Sequence, residues 1–538
     1  MMTITELQQR YAAHPNVEAM SGLLKNPSVR TLFCGGLCAS AASLFSSVLV
    51  QRGEFPFVFI LGDLEEAGYF YHDLTQVLGT DKVLFFPSSF RRAIKYGQKD
   101  AANEILRTEV LSRLQKGEEG ICVVTYPDAL AEKVVSRKEL GDKTLKLHSG
   151  ENVDTNFIME VLRSYGFEYV DYVYEPGQYA VRGSIIDVFS FSSEFPYRID
   201  FFGDEVESIR TFEVETQLSK EKKDSIVIVP DLSRSLEQGG ASGMVSFLDF
   251  LSADTVLAMR DLLWLRERIQ TVHDETLTPQ AIAAREAEES GCITLDGKLI
   301  DGSEFTLRAL DFRRMEFGNK PTGTPDATIT FDTSAQPIFR KNFDMVAESF
   351  KEYMEKGYAL YICSDSMKQT DRIRAIFEDR GDQIAFTAVE RTLHEGFADN
   401  ALRLCIFTDH QLFDRFHKYN LKSDKARSGK VALSLKELNQ FTPGDYVVHT
   451  DHGVGRFSGL VRIPNGDTTQ EVMKLVYQNE DVVFVSIHSL HKVSKYKGKD
   501  GEAPRLNKLG TGAWEKLKER TKTKIKDIAR DLIRLYSQ

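Results

Sequence analysis

Over the first 125 residues, short apolar runs alternate with stretches of helical periodicity. The apolar runs have the length of single strands and carry few charges, and they span residues 31–34, 57–61, 82–86 and 121–125. Short buried strands that alternate with helices are typical of parallel βαβ units, because the connecting helices cover both faces of the sheet. The pattern therefore predicts a doubly wound α/β layer.

The periodicity changes near residue 143, where apolar and polar positions begin to alternate one by one. This alternation is clearest at 178–189 and 197–202, with glycine and charged residues at the turns between strands. Alternation with period two predicts half-buried antiparallel strands. We therefore predict a small α+β insertion, after which helix-period and mixed segments, including 247–271, return the chain to its first domain.

The remaining chain is predicted to form four further parts. Residues 341–417 hold a second small α/β domain with strands at 358–363, 384–386 and 402–407, and a polar, basic stretch follows it. Closely spaced short strands then predict a small β-barrel, and a stripe of apolar positions at 512–536 predicts a basic amphipathic helix. The predicted domains are 1–142 with 229–340, the insertion 143–228, the small α/β domain 341–417, a linker 418–436, the β domain 437–500 and the basic helix 501–538.

Composition leaves this multi-domain α/β prediction unchanged. Hydrophobic residues make up 42% of the 538-residue chain and charged residues 27%, which are ordinary values for globular proteins. We find no secretory signal and no apolar run of membrane-spanning length. The six cysteines are dispersed and mostly lie in apolar runs, as expected for reduced core thiols. We expect a cytoplasmic monomer with no membrane partner.

Charge is distributed unevenly along the chain. The net charge is -11, so the chain as a whole does not have the electrostatics of a nucleic-acid-binding protein. Residues 492–538, however, hold 14 lysines and arginines against 6 acidic residues. Two interpretations remain open, a solvated basic helix and a segment that lies close to DNA or an acidic partner.

A degenerate phosphate-binding loop follows the first predicted strand. A P-loop has the pattern Gly-x-x-x-x-Gly-Lys-Ser/Thr, in which the lysine balances the phosphate charge and the hydroxyl holds magnesium. Residues 36–43 read GLCASAAS, so Gly36 and Ser43 match while Ala41 and Ala42 replace the second glycine and the lysine. The sequence therefore predicts no complete nucleotide-hydrolysing site. The alternative is an ordinary helix start.

Two His-x-x-His pairs lie in the predicted β domain, His449 with His452 and His488 with His491. The first pair precedes a Gly-x-Gly turn and the second has the spacing of a strand, so the two rings of each pair need not face together. We predict no metal site and no catalytic residue. Nothing in the sequence has the arrangement of a Ser/His/Asp or Cys/His nucleophile.

Two longer strings are more specific than any of these motifs. Residues 174–189 read YEPGQYAVRGSIIDVF and residues 194–210 read EFPYRIDFFGDEVESIR, and these strings closely resemble UvrB and the bacterial transcription-repair coupling factors. Both families use this domain to bind UvrA. Residues 443–460 read PGDYVVHTDHGVGRFSGL and resemble the RNA-polymerase-interaction module of CarD and of the coupling factors. Only the coupling factors combine the two strings.

This resemblance implies a UvrA-binding site in the insertion. The residues that match the family's UvrA contacts are Arg182, Arg198 and Phe202, with Asp200 and Glu205 as neighbours. On a strand, Arg198, Asp200 and Phe202 would share one face, where a guanidinium and an aromatic ring can form an interaction hot spot. The alternative is that Phe202 belongs to the core and the charged side chains are solvated.

In the β domain, the resemblance implies contact with the RNA polymerase β subunit. Leu460, Val461 and Ile463 follow the Gly-x-Gly turn and could present an apolar edge to the polymerase, while Gly453 and Gly455 would serve the turn. The alternative is that some of these apolar residues fill the core of the small barrel.

The function implied by the resemblance is that of a non-motor docking part. The chain would bind UvrA and RNA polymerase and so couple the removal of a stalled polymerase to nucleotide excision repair. The family's ATP-dependent DNA translocase motor, with its ATP and magnesium, is absent from these residues, so we expect no cofactor and no enzymatic activity here. Two alternatives are a UvrB-like ATP-binding helicase subunit and a CarD-like transcription regulator.

Overall fold

The computed structural model describes residues 2–89, 101–214, 217–232, 244–276, 297–415, 417, 419, 421, 442–465, 468–486, 493–496, 504–510, 514 and 516. Within them, a first sheet of seven parallel strands takes its strands from both sides of the insertion. The strand order across this first sheet is Ala327–Thr330, Thr31–Gly35, Arg313–Gly318, Val256–Met259, Phe57–Ile60, Cys122–Thr125 and Val83–Phe86.

The central strands of the first sheet are buried along their whole length. Helices lie between them in sequence, as parallel strands require. The helices of this part are Ile4–Ala12, Pro15–Lys25, Ala41–Arg52, Leu64–Leu78, Ala101–Lys116, Pro127–Ala131, Arg137–Asp142, Leu262–Thr276 and Gly302–Ala309. A short antiparallel pair, Val134–Val135 with Met244–Val245, lies outside the sheet.

One predicted helical stretch contains a strand. Residues 247–271 were expected to have helix-period or mixed character, but they comprise a 3-10 turn at Phe247–Phe250, the strand Val256–Met259 and the start of the helix Leu262–Thr276. A strand that is buried on both faces shows no alternation, so its four apolar residues cannot be distinguished from part of a buried helix.

The insertion forms a sheet of six described strands. Their order is Ser219–Lys223, Glu205–Phe212, Tyr197–Phe202, Ile185–Val188, Gln178–Arg182 and Glu168–Tyr169, and the pairs are antiparallel except the last. The helix Thr155–Ser164 buries Ile158 and Leu162 in the core on one face of this sheet. A two-stranded ribbon, Leu145–His148 with Ser225–Ile228, connects the insertion to the first domain at both ends.

The second sheet differs from its predicted boundaries. Its described strands run in the order Met2–Thr3, Thr387–Glu390, Ala359–Ser364, Leu404–Thr408, Phe397–Asp399 and Thr333–Ala335, with the helices Phe343–Glu355, Met367–Asp379 and Asp409–Leu412 beside them. It therefore uses strands that precede residue 341. The predicted strand 384–386 is also misplaced, because the chain pairs at Thr387–Glu390 instead.

The two α/β parts share one hydrophobic core. Side chains of the second sheet, such as Tyr361 and Val389, belong to the same cluster as Ile4 and Tyr11 of the first helix. The strand Met2–Thr3 pairs with Thr387–Glu390 while the helix that follows packs in the first domain. The chain from residue 2 to residue 12 thus joins the two sheets.

The β module, residues 442–510 as far as they are described, contains a five-stranded antiparallel sheet. Its strand order is Val482–Ser486, Thr468–Val476, Gly453–Asn465, Tyr446–His449 and Val493–Lys495. A core of seven buried residues that includes Phe457, Met473 and Leu475 lies on one side. The predicted multi-domain α/β class is confirmed, while closure of this sheet into a barrel stays a prediction.

Most of the predicted linker and of the predicted C-terminal helix lies outside the described residues. Residues 504–508, which were assigned to the helix 501–538, have no helical structure and run along the β module. In the part of the chain that the structure describes, no helix has the length and the apolar character needed to cross a membrane.

Candidate docking sites

The outer face of the insertion sheet carries a buried carboxylate between two arginines. Asp187 is fully buried and lies directly opposite Arg198 on the neighbouring strand. Arg198 donates from Nε to Oδ1 and from Nη2 to Oδ2, both at 2.8 Å, and Arg182 also binds Oδ2. This bidentate pairing fixes the plane of the Arg198 guanidinium.

Aromatic rings support both arginines from the same face. The Arg198 guanidinium carbon lies 4.4 Å from the centre of the Phe212 ring, and that of Arg182 lies 5.0 Å from the centre of Tyr172. Hydrogen bonding to Asp187 raises the pKa of Arg198. The two arginines are therefore held in place by the fold before any partner arrives.

Phe202 stands at the tip of the adjoining hairpin. It is 79% exposed, and the turn after it uses Gly203 with φ of +63°. Glu205 pairs with Phe202 across the hairpin and is exposed. Because so exposed an aromatic ring contributes nothing to a core, the alternative that Phe202 is a core residue is wrong.

The predicted UvrA contacts thus lie on one surface with other charged groups. Asp200 accepts from the Ser208 hydroxyl at 3.1 Å and binds Arg210, which lies opposite Arg198. We call the outer surface formed by Arg182, Arg198, Asp200, Phe202, Glu205 and Arg210 the charged face. Asp187 was not predicted as a site residue, although an aspartate within the apolar run 185–189 is a signal of a buried ionic contact.

The degenerate P-loop is packed against the second sheet. Ser43 donates to Asp73 Oδ2 at 2.7 Å, and the amide of His394 donates to Asp73 Oδ1 at 2.7 Å. The amide of Glu395 donates to the Ser40 hydroxyl at 2.9 Å, immediately before the helix that begins at Ala41. Burial raises the pKa of Asp73 to about 6.

The backbone also leaves little space at this loop. Gly36 has φ of +82°, and a Cβ atom there would lie 2.0 Å from the carbonyl oxygen of Phe331. Ala41 is fully buried, whereas Ala42 is partly exposed. The hydroxyl that would hold magnesium in a working loop is bonded to a carboxylate, and the first helical turn is in contact with the loop at His394 and Glu395.

In the β module, the predicted polymerase contacts lie on the long strand Gly453–Asn465. Leu460 is 38% exposed and Val461 is half-buried, and Ile463 pairs with Gln470 although its side chain lies outside the described residues. The edge strand adds Val482 and Phe484, which are 38% and 48% exposed. Val482 and Phe484 were not predicted as contact residues. The signal for them was the alternation of exposed and buried positions along this strand, where Val485 is buried.

The two glycines of the Gly-x-Gly string have different roles. Gly453 has φ of +81° and serves the turn, as predicted. Gly455 lies within the strand, and a Cβ atom on it would come within 2.9 Å of the Tyr477 ring. Its predicted role in the turn is therefore wrong, because Gly455 makes room for a core aromatic ring.

A strap formed by residues 504–510 closes over this turn. The Asn507 amide donates to the Val454 carbonyl at 2.9 Å, and the Val454 amide donates to Asn507 Oδ1 at 2.7 Å. Trp514 Nε1 donates to the Thr450 carbonyl at 2.9 Å. The chain that leaves the β module is thus fixed to the turn after the strand Tyr446–His449.

The histidines of this turn do not form a metal site with other described residues. The rings of His449 and His452 stack with their centres 4.6 Å apart. Among the described residues, no group of three or more potential ligands is placed to hold a metal ion. His488 and His491 lie outside the described residues.

Comparisons with known proteins match both regions to known families. The family described as the UvrB interaction domain matches residues 145–233, which include the charged face, and the CarD-like/TRCF RID domain matches residues 441–497. The chain is similar to transcription-repair-coupling factors. The resemblance inferred from the two strings is confirmed.

The similarity extends over nearly the whole chain. The transcription-repair-coupling factor of Bacillus subtilis (strain 168) is 23% identical over 575 residues, and that of Staphylococcus aureus (strain USA300) is 24% identical over 570 residues. Each alignment covers 94% of this chain and 48% of the relative. The chain therefore spans about half the length of these curated relatives.

Proposed function

We propose that this chain is a docking part of a transcription-repair coupling factor, which binds UvrA through the charged face and the RNA polymerase β subunit through the β module. In this role it brings the excision-repair machinery to a stalled polymerase. The main support is that the exposed Phe202 and the braced arginines Arg182 and Arg198 lie together within the region that matches the UvrB interaction domain.

The physical case for the charged face rests on preorganisation. An aromatic ring beside fixed guanidinium groups is the kind of residue set that supplies most of the binding energy at protein interfaces. Because Asp187 and the rings of Phe212 and Tyr172 already hold the arginines, little side-chain entropy is lost on binding. The partner surface should be acidic or offer carbonyl groups close to an apolar pocket.

In the β module, the exposed residues Leu460, Val482 and Phe484 support polymerase binding. We propose that Leu460, Val461 and Ile463 touch the β subunit, with Phe484 two strands away on the edge of the same sheet. The nucleotide-binding alternative is disfavoured by Ala42 and by the bond from Ser43 to Asp73. ATP, magnesium and DNA binding are assigned to the motor part of the full-length protein.

The first test is calorimetric titration of the chain with UvrA. Phe202→Ala should weaken binding by about thirtyfold, or about 2 kcal/mol, because a truncated hot-spot aromatic typically costs this much. The matched control is Phe157→Ala, on the helix that covers the opposite face of the insertion sheet, where the ring is 52% exposed. Thermal unfolding should be the same for both variants.

Two outcomes would change the proposal. Equal UvrA binding by the two phenylalanine variants would remove Phe202 from the interface. A folded chain that fails to bind UvrA but binds RNA polymerase would favour the CarD-like regulator.

A further inference from the structure

A cluster of imidazole and phenol rings joins the first domain to the chain that leaves the second sheet. The cluster comprises Tyr69 and His72 on the helix Leu64–Leu78, His394 and His410 from the second sheet, and His417 and Tyr419, which follow it. No residue of this cluster belongs to either docking site.

The rings stack closely. Tyr69 and His394 are parallel with centres 3.6 Å apart, and His410 and His417 are parallel at 4.3 Å. His72 meets His417 edge-on at 4.8 Å. Stacked rings direct their nitrogen lone pairs along parallel planes and not towards one point, so this arrangement suits packing better than metal binding.

The described residues of 417–421 are held to the helix Leu64–Leu78 by further contacts, and we call them the docked segment. The Tyr69 hydroxyl donates to the His417 carbonyl at 2.8 Å. Gly68 makes room for Tyr419, because a Cβ atom at Gly68 would lie 2.4 Å from that ring. Leu421 is buried in the core shared by the two sheets. The predicted linker thus starts as a packed element of the fold.

Burial disfavours the charged form of the imidazoles in this cluster. His72 Nε2 and the Nδ1 atoms of His394, His410 and His417 are buried and accept no hydrogen bond from the described residues. Burial lowers the pKa values of His72, His394 and His410 to about 4, and it lowers that of His417 as well. Each imidazole also disfavours a charge on its neighbours.

Charged groups around the cluster come from every element that packs against it. The acidic groups are Glu65 and Asp73 on the helix, Asp365, Glu395 and Asp409 from the second sheet, and the basic groups are Arg391 and Arg415. Asp409 is bound to Arg415, with 2.5 Å between its oxygen and the guanidinium nitrogen, and lies 3.8 Å from His410 Nδ1. These carboxylates lower the free-energy cost of protonating one imidazole. They cannot offset the repulsion between charges on several stacked imidazoles.

We propose that the docked segment is a proton-released latch: protonation of the stacked histidines separates this segment from the helix Leu64–Leu78 and so adds its length to the chain that leads to the β module. Release adds about 17 Å to the maximum span of the chain between the second sheet and the β module. The latch itself does not depend on either docking partner. Only its consequence, the reach of the polymerase contact, rests on the proposed function.

The test is hydrogen exchange of the whole chain at pH 7.5 and pH 5.5, corrected for the intrinsic pH dependence of amide exchange. A histidine that stays neutral when docked and has an ordinary pKa of about 6.5 when released favours release about tenfold at pH 5.5. Protection of the amides of His417, Tyr419 and Leu421 should therefore fall at least about tenfold.

Two variants separate the latch from general unfolding. His417→Phe keeps a stacking ring without a titratable nitrogen, so its docked segment should lose less protection at pH 5.5 than that of the wild-type chain. Gly68→Ala should release the segment at both pH values by steric conflict with Tyr419. Its control is Gly22→Ala, within the helix Pro15–Lys25, where an added Cβ meets no atom within 4 Å.

In the wild-type chain, we expect protection of the docked segment to fall at the lower pH. The fall should be smaller in His417→Phe. In Gly68→Ala, the segment should be unprotected at both pH values. Equal protection of the docked segment at the two pH values in the wild-type chain would overturn the latch, as would a full wild-type response in His417→Phe. Because no partner is present in this experiment, failure of UvrA binding would leave the outcome unaffected.

Discussion

Asp187 determines how the charged face is presented. Its carboxylate is fully buried, and it binds Arg182 and the Nε–Nη2 edge of the Arg198 guanidinium. A buried carboxylate is costly unless its lone pairs are satisfied, and here two guanidinium groups satisfy them. The same contacts that offset this cost also fix the arginines for a partner.

Replacing this carboxylate should affect stability and binding together. Asp187→Asn should lower the free energy of unfolding by about 3 kcal/mol, because it leaves two partly buried guanidinium groups without their anion. Urea denaturation of the chain measures the change, and UvrA affinity should fall in parallel. Asp204→Asn, at the exposed hairpin turn, should change neither quantity by a measurable amount. An unaltered denaturation midpoint for Asp187→Asn would mean that the arginines do not need this carboxylate.

The sequence predicted the positions of some site residues correctly and missed the contacts of others. Strand alternation predicted that Arg198, Asp200 and Phe202 would share one face of the strand, and the structure places them there. The pairing of Arg182 with Asp187 was not predicted, because it depends on two adjacent strands and on the register between them. Likewise, Gly455 was assigned to a turn because its packing partner, Tyr477, is distant in sequence.

At the scale of single elements, the helix that begins at Ala41 shows how a nucleotide loop becomes a packing surface. Ser43 bonds to Asp73, and the loop at His394 and Glu395 lies against the first turn. A lysine at position 42 would therefore restore only one feature of a working P-loop, because the second glycine and a free Ser43 hydroxyl would still be missing. The helix start now holds two sheets together.

The substitution Ala42→Lys tests this interpretation. We expect no saturable binding of ATP with magnesium, because the Ser43 hydroxyl is bonded to Asp73 and the second glycine is replaced by the buried Ala41. Fluorescence of a labelled ATP analogue measures binding, and an intact P-loop protein serves as the positive control. If the variant bound the ATP analogue and the wild-type chain did not, the UvrB-like nucleotide-binding alternative would be supported again.

The strap of the β module is a second element whose role depends on a few contacts. Asn507 exchanges two hydrogen bonds with Val454, and its carbonyl accepts from the Gln478 amide at 3.1 Å. Asn507→Ala removes the side-chain bond and leaves the Val454 amide without its acceptor, which typically costs about 1–3 kcal/mol. The β module should therefore unfold at lower temperature, as followed by calorimetry.

The control for the strap is Arg505→Ala, whose side chain is exposed in the same segment. It should leave the calorimetric profile unchanged. If both variants unfolded at the same temperature as the wild-type chain, the strap would not contribute to the stability of the β module.

Elements were predicted best where periodicity was clean. The first four strands of the parallel sheet lie within one residue of the predicted positions. The strand Val256–Met259 was hidden in a stretch of helix-like character, and the strand Thr387–Glu390 was predicted three residues too early. In both cases the deciding factor is pairing with a neighbouring strand, which local sequence does not encode.

For the whole molecule, the buried histidines between the two sheets predict how stability depends on pH. Folding lowers the pKa values of His72 and His410 to about 4, below the ordinary value of about 6.5. Between these two pKa values the unfolded chain therefore binds more protons than the folded chain. The contribution of these neutral histidines to stability is fully present above pH 6.5 and is lost as the pH falls towards 4. Asp73, whose pKa is raised to about 6, acts in the opposite direction and offsets part of this loss.

We expect the free energy of unfolding to fall between pH 7 and pH 5 by on the order of 1 kcal/mol per buried histidine. Denaturant titrations at several pH values measure this slope. The variant His72→Phe should show a shallower dependence, because it removes one titrating group and keeps a ring in the core. A slope that is the same in this variant and in the wild-type chain would show that His72 does not titrate with unfolding.

The pairing of Met2–Thr3 with Thr387–Glu390 has a consequence for synthesis of the protein. These two residues are made well before their strand partners, which follow the first domain, the insertion and the strands Thr333–Ala335 and Ala359–Ser364 of the second sheet. Domains commonly fold in the order in which they are synthesised. Here the strand Met2–Thr3 must wait for its partner, so the two sheets can be locked together only when residue 390 has emerged. A nascent chain arrested before that point would carry an unpaired strand and an incomplete core, and it would be a natural substrate for chaperones.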